Sequence, residues 1–200
     1  MKTLLISILL FCTQPALAAS MSPEDMTWLG GMSAYSKGDY ATALQVWKPI
    51  AERGHTHASM GLGRMYRDGK GVPQDYKTAI KYYNTAVRNG SAEAMVNIGW
   101  FYYHGKGFTQ NYHTATKWFT VAAERGNAPA QSRLGNSNEY GLGVPQNLTR
   151  AHMWYNLSAS QRYKGAKKKR DKVAKKMTSS QIENAQMLAS ECVAKDYKGC

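Results

Sequence analysis

The strongest constraint on this chain is a repeat of 36 residues. Gly54, Gly90 and Gly126 are spaced by that step, and so are Gly63, Gly99 and Gly135. Gly69, Gly105 and Gly141 follow it too, each with a second glycine two residues on, at Gly71, Gly107 and Gly143. Apolar positions hold the register through Ala58, Ala94 and Ala130, and through Leu62, Ile98 and Leu134. A longer series runs Ala43, Ala79, Ala115, Ala151, beside Trp47, Tyr83, Phe119, Tyr155 and beside Asp39, Asp75, Asn111, Asn147. A period of about 20–50 residues marks an array of small units that bury their apolar faces only by stacking on one another.

Each period reads as two helices. Helix A of the first full unit is expected over about 57–68, where Ala58, Ser59, Gly63 and Tyr66 share the side of the helical wheel that holds Leu62. Gly63 sits on that face where a side chain would hold two helices apart. Gly69-x-Gly71 ends helix A, Pro73 blocks its continuation, and Asp75 supplies the N-cap of helix B, expected over about 76–89. Ala79, Tyr83, Ala86 and Val87 form the inner face of helix B. The fold predicted is all-α: a solenoid of antiparallel helix pairs over 19–160, with units near 24–54, 55–90, 91–126 and 127–160. Basic capping helices and a tail occupy 161–200. Thr178 and Gln181 have the spacing of a capping box, so a last helix is expected to start there, with Ile182, Ala185, Leu188 and Ala189 inward.

The start of the chain reads as a signal peptide over 1–18. Lys2 precedes an apolar run from Leu4 to Phe11, and Ala16-Leu17-Ala18 supplies the small residues of a cleavage site. The chain is therefore expected to be exported, to the periplasm or beyond. Cys192 and Cys200 are the cysteines outside that segment, and in an oxidising compartment they read as a disulfide, with two thiols or a pairing between chains as the alternatives.

The 200 residues are 43% hydrophobic and 20% charged, enough to bury a core and too polar for a polytopic membrane protein. A net charge of +13 suits an acidic partner or an anionic surface. Much of it lies between Lys164 and Lys176, where Asp171 is the one acid. Lys167, Lys168, Lys169, Arg170 and Lys172 read first as the solvated face of a capping helix. Their second reading is an electrostatic dock for anionic lipid or envelope polymer.

The repeat pattern resembles the Sel1-like repeats, relatives of the tetratricopeptide repeats. The resemblance rests on Ala58-x-x-x-Leu62-Gly63-x-Met65-Tyr66-x-x-Gly69-x-Gly71-Val72-Pro73-x-Asp75, which returns from Ala94 to Asn111 and from Ala130 to Asn147. The run from Ala151 to Leu157 and its continuation to Gln186 look like the tail of exported bacterial members. Two departures stand out. Thr109 replaces the proline found at Pro73 and Pro145, and Ser137-Asn138 replaces the Met65-Tyr66 and Phe101-Tyr102 pairs. The third helix A is therefore expected to pack less well. The resemblance implies a right-handed solenoid whose helix A faces line a concave groove. It also implies a role as envelope adapter, host-interaction factor or neutraliser of a toxin delivered to the periplasm.

On that groove face the first unit carries His57, Met60, Arg64, Arg67 and Asp68. The second carries Glu93, Val96, Trp100, Tyr103 and His104, and the third Ser132, Asn136, Glu139 and Tyr140. Trp100 and Tyr103 have the character of binding anchors, and Arg64 and Arg67 that of carboxylate selectors. Arg64, Arg67, Trp100, Tyr103, His104, Asn136, Glu139 and Tyr140 are the expected partner-binding set. The expected partner is a protein or peptide, and the chain is expected to act as a monomer without nucleic acid or a small-molecule cofactor.

No catalytic pattern emerges. G-x-S-x-G, H-E-x-x-H and P-loop motifs are missing from the sequence, and both late cysteines lie away from any evident base. His55-x-His57 has the spacing of a metal pair, but no carboxylate is evidently aimed at it, so it reads as surface at a repeat boundary and no metal is expected. Some cysteine-rich exported relatives are linked to β-lactam binding through a disulfide in each repeat, which this chain lacks. A cell-wall or β-lactam-active enzyme is a minor alternative.

Overall fold

A computed structural model describes residues 22–200. The expected signal peptide lies outside them. The described residues form ten α-helices and no strand: α1 Pro23–Ser36, α2 Tyr40–Glu52, α3 Thr56–Asp68, α4 Tyr76–Arg88, α5 Ala92–His104, α6 Tyr112–Ala123, α7 Ala128–Tyr140, α8 Leu148–Ser160, α9 Ala166–Ala174 and α10 Ser179–Ala194. This is an all-α helical-repeat fold. None of these helices is long and apolar enough to cross a membrane. Contacts among the described residues cluster into two compact units, one ending at Gln74 and the other spanning Asp75–Cys200.

The repeat register is written in the caps. Asp39, Asp75, Asn111 and Asn147 each accept a hydrogen bond from a backbone N–H in the first turn of α2, α4, α6 and α8. His55, Ser91 and Asn127 do the same for α3, α5 and α7. Gly69, Gly105 and Gly141 end those helices in the left-handed region, with φ of 67°, 64° and 69°. Only glycine adopts that conformation without steric cost. The period holds a further device. Gln74, Gln110 and Gln146 are also 36 apart. Each donates its side-chain N–H to a carbonyl near the C-terminus of helix A, on Arg67 at 2.8 Å, Tyr103 at 2.9 Å and Glu139 at 2.8 Å. These bonds satisfy acceptors that a helix end leaves without an internal partner.

In the first unit α2 packs on both α1 and α3. Trp47 is buried between them, its indole N–H donating to the Trp28 carbonyl at 3.1 Å. A Cβ at Gly61 would lie 2.6 Å from that indole ring, so the glycine makes the space the ring fills.

In the second unit α4 to α8 each pack on the next, and α8 also carries α9 and α10. Phe119 and Tyr155 are fully buried. A Cβ at Gly99 or Gly135 would come within 2.5 Å of those two rings, respectively. The repeating glycine on helix A thus pairs with the repeating aromatic on helix B, and each buried ring contributes about 1.5–3 kcal/mol.

Ser137 and Asn138, expected to weaken α7, are both buried and hydrogen-bonded. The Ser137 hydroxyl lies 3.2 Å from that of Thr116, which donates to the Leu142 carbonyl at 3.0 Å. The Asn138 amide donates to the Leu134 carbonyl at 2.9 Å. The polar pair is accommodated because each group finds a partner inside the unit.

The cap is tied in at several points. Thr178 and Gln181 form a capping box at the start of α10, and Ala185 and Ala189 are buried beneath it. Cys192 and Cys200 form a disulfide with Cα atoms 5.5 Å apart. Arg150 donates to the Cys200 carbonyl at 3.0 Å, and the Gly199 N–H donates to Glu124 at 3.2 Å.

Candidate functional site

The last two turns of α5 present an aromatic cluster. Trp100 and Tyr103 are half-buried, and His104 is exposed. The His104 ring centroid lies 4.7 Å from that of Trp100 and 4.9 Å from that of Tyr103. Tyr103 in turn meets Tyr112 edge-on at 5.0 Å, and Trp100 meets Phe101 edge-on at 5.3 Å. Partial burial lowers the pKa of His104, and the nearby Arg133 and Lys106 cations lower it further. Both effects favour the uncharged imidazole, and the positive charge is supplied by its neighbours. Aromatic faces, a neutral imidazole and cations together suit carboxylate-bearing peptide.

The matching face of α7 is sealed differently. Tyr140 projects, 53% exposed, but Glu139 is only 3% exposed. Its Oε2 accepts from the Tyr155 hydroxyl at 3.0 Å. The Lys176 ammonium stands 3.7 Å from Oε1, an ion pair too long to be a hydrogen bond, so that oxygen makes none. Burial and then the Glu139 charge push the Tyr155 phenol well above its ordinary range. Lys169 donates to the Ser132 hydroxyl at 3.3 Å, and its ammonium sits 5.6 Å from the centroid of the Tyr155 ring. Burial, then Arg133, lower the pKa of Lys169, while Glu139 opposes the shift. Asn136 is half-buried, its Oδ1 without a hydrogen-bond partner.

Glu139, assigned from the sequence to an open groove face, is therefore an internal carboxylate. Tyr155 and the basic segment after α8 cover it. Two assignments in the first unit also change. Met60 is buried, 3% exposed. Arg67 is paired with its neighbour Asp68 by two hydrogen bonds, Nε to Oδ1 at 2.7 Å and a terminal nitrogen to Oδ2 at 3.0 Å. That pairing holds the Asp68 carboxyl below its ordinary range. Arg64 is exposed on the same helix.

The basic segment is partly self-neutralised. Asp171 accepts from Lys167 at 2.8 Å and from Arg170 at 2.8 Å, and its carboxyl pKa is lowered by those bonds. Arg170 also donates to Asn156 at 2.9 Å. Lys168 and Lys172 remain exposed.

His55 is not simply surface at a repeat boundary, because its ring caps α3 and faces Asp25 at 3.1 Å. That carboxylate lies on α1, 30 residues away, outside any local spacing.

A family model described as Sel1 repeat matches residues 56–91, 92–127 and 128–163. Among solved structures, a Sel1 repeat protein from Oxalobacter formigenes is 32% identical, over 64% of this chain and 97% of that one, with a TM-score of 0.58. The structure titled c5321, a protective antigen present in uropathogenic Escherichia coli strains displaying an SLR fold, is 22% identical with a TM-score of 0.55. That match covers 91% of this chain but about half, 48%, of the other, and it shows the fold alone. No curated protein matches the chain.

Proposed function

The chain belongs to the Sel1 repeat family, a fold commonly used as a protein-interaction scaffold, and from that premise we propose that it is an exported, non-catalytic scaffold gripping an acidic segment of a partner protein. The grip lies on α5 and the exposed end of α7. Trp100 and Tyr103 supply apolar contact area, His104 hydrogen-bonds, and Arg133 and Lys106 favour carboxylates. The observation that carries this reading is the part-exposed ring cluster of Trp100, Tyr103 and His104, within the electrostatic reach of Arg133 and Lys106. Large aromatics left part-exposed beside cations are characteristic binding anchors. The A-x-A leader and the resemblance to exported members support a periplasmic or secreted setting. Envelope assembly, host interaction and toxin neutralisation all fit that setting.

The exposed Lys168 and Lys172 favour a second reading, an electrostatic binder of anionic lipid or envelope polymer. Affinity capture from envelope extract separates the two. The wild-type chain is run beside a Trp100→Ala/Tyr103→Ala variant and a Lys168→Gln/Lys172→Gln variant, each checked for helicity. One captured protein, lost only with the aromatic variant and retained at high salt, supports the scaffold. Retention of lipid or polymer that fades with salt and with the lysine variant supports the rival, because exposed charges are screened within about 10 Å at 0.1 M salt.

A further inference from the structure

We propose that Asp25, His55 and His57 in the first unit form a binding site for a divalent transition-metal ion, zinc by preference. One donor atom from each of the three lies within 4.8 Å of the other two. Asp25 and His55 are already in contact, Oδ1 to Nε2 at 3.1 Å. The Ser22 hydroxyl donates to Asp25 Oδ2 at 2.7 Å and the Ser22 N–H at 3.3 Å, which fixes the carboxylate at the start of α1. The nearby Arg53 is paired with Glu24 at 2.7 Å.

The repeat itself shows that His55 exceeds its structural duty. The N-cap slot it fills is occupied by Ser91 and Asn127 in the next two units, and each caps its helix with one acceptor atom. An imidazole meets that need with Nδ1, which accepts from the Ala58 N–H at 3.2 Å. The second nitrogen makes no bond to the helix, and it faces a carboxylate. Two residues on, the equivalents of His57 are Glu93 and Pro129, so the histidine pair belongs to this unit alone.

Two imidazoles and a carboxylate are borderline donors that suit zinc and disfavour magnesium. Metal–ligand bonds of about 2.0–2.2 Å in a tetrahedral site set the donors roughly 3.3 Å apart. His57 is the arm that must close, and it is exposed, its ring centroid 4.9 Å from that of Trp28. Without metal, Nδ1 of His55 is an acceptor, so the ring proton sits on Nε2 and points to Asp25. On coordination the metal takes the Nε2 lone pair, the proton moves to Nδ1, and the Ala58 N–H gives up that acceptor. Three protein donors leave the fourth position for water or a donor from a partner. The bound ion would clamp the start of α1 to the start of α3.

The test is calorimetric titration of zinc chloride into the tag-free full chain at pH 7.5, with magnesium chloride as control. His57→Phe keeps a ring on Trp28 but carries no donor. His55→Ser restores the cap used at Ser91 and removes the other nitrogen. The expected result is one zinc per chain, no magnesium heat, and binding at least about tenfold weaker in each variant. Zinc is also expected to raise the melting temperature of the wild type and not of His57→Phe. An absence of saturable zinc binding, or equal binding by wild type and both variants, overturns the proposal.

Discussion

Helices α5 and α7 occupy the same place in successive repeats, yet their equivalent residues meet different surroundings. Trp100, Tyr103 and His104 correspond to Asn136, Glu139 and Tyr140. On α5 the three stay accessible. On α7 Glu139 is buried against Tyr155 and Lys176, and only Tyr140 projects. The difference arises from the chain downstream of each repeat. Past α8 the array ends, and the basic segment turns Lys169 onto Ser132 and brings Lys176 to Glu139. A repeat fixes which face a residue occupies, while the neighbouring segment decides whether that face stays open.

The largest expected effect breaks the open side of the comparison. Trp100→Ala/Tyr103→Ala should weaken partner capture by about 2–4 kcal/mol, the range of interface anchors, while Asn136→Ala changes it by less than about 1 kcal/mol. Equal losses would show that α7 contributes as much as α5. Next comes the closed side. Glu139→Ala strips the Tyr155 hydroxyl of its acceptor and leaves Lys176 without its carboxylate. It should cost about 1–3 kcal/mol of stability in urea melts, whereas Tyr103→Phe should cost well under about 1 kcal/mol. A Glu139→Ala variant as stable as wild type would mean the carboxylate is not internal. A smaller effect is expected at the glutamine clamps. Gln110→Ala and Gln146→Ala each remove one hydrogen bond to a helix-end carbonyl, so each should lower stability by about 0.5–1.5 kcal/mol.

The mildest effect is with pH. Burial lowers the pKa of both His104 and His152, so the unfolded chain takes up their protons first as pH falls. These groups carry no penalty above about pH 6.5, the ordinary histidine value, and an increasing one below it. Thermal melts should therefore fall from pH 7 to pH 5, and His152→Gln should lose less than wild type. A melting temperature that rises on acidification would contradict the sign.

Much of the fold was legible because capping is local chemistry. Asp39, Asp75, Asn111 and Asn147 stand next to the glycine turns that precede them, and the carboxylate or amide finds its N–H within three residues. Gln74, Gln110 and Gln146 are equally periodic, but their role is not legible from local spacing, since their bonds reach back seven residues across a turn. The site was legible in part. Helical phase placed Trp100, Tyr103 and His104 on one face, and their rings do meet. Phase could not reveal the burial of Glu139, which depends on a lysine 37 positions later, nor the pairing of Arg67 with its own neighbour. The Asp25–His55 contact was hidden for the same reason, because it joins helices that are not adjacent in sequence.

Site-specific photocrosslinking in the native cell envelope tests the central claim most directly. A crosslinking residue at His104 or Tyr140 should trap one and the same partner protein, while the same residue at Lys117, exposed on α6, should trap none. Trapping at Lys117 with nothing at His104 and Tyr140 would place the partner on another face and contradict the account.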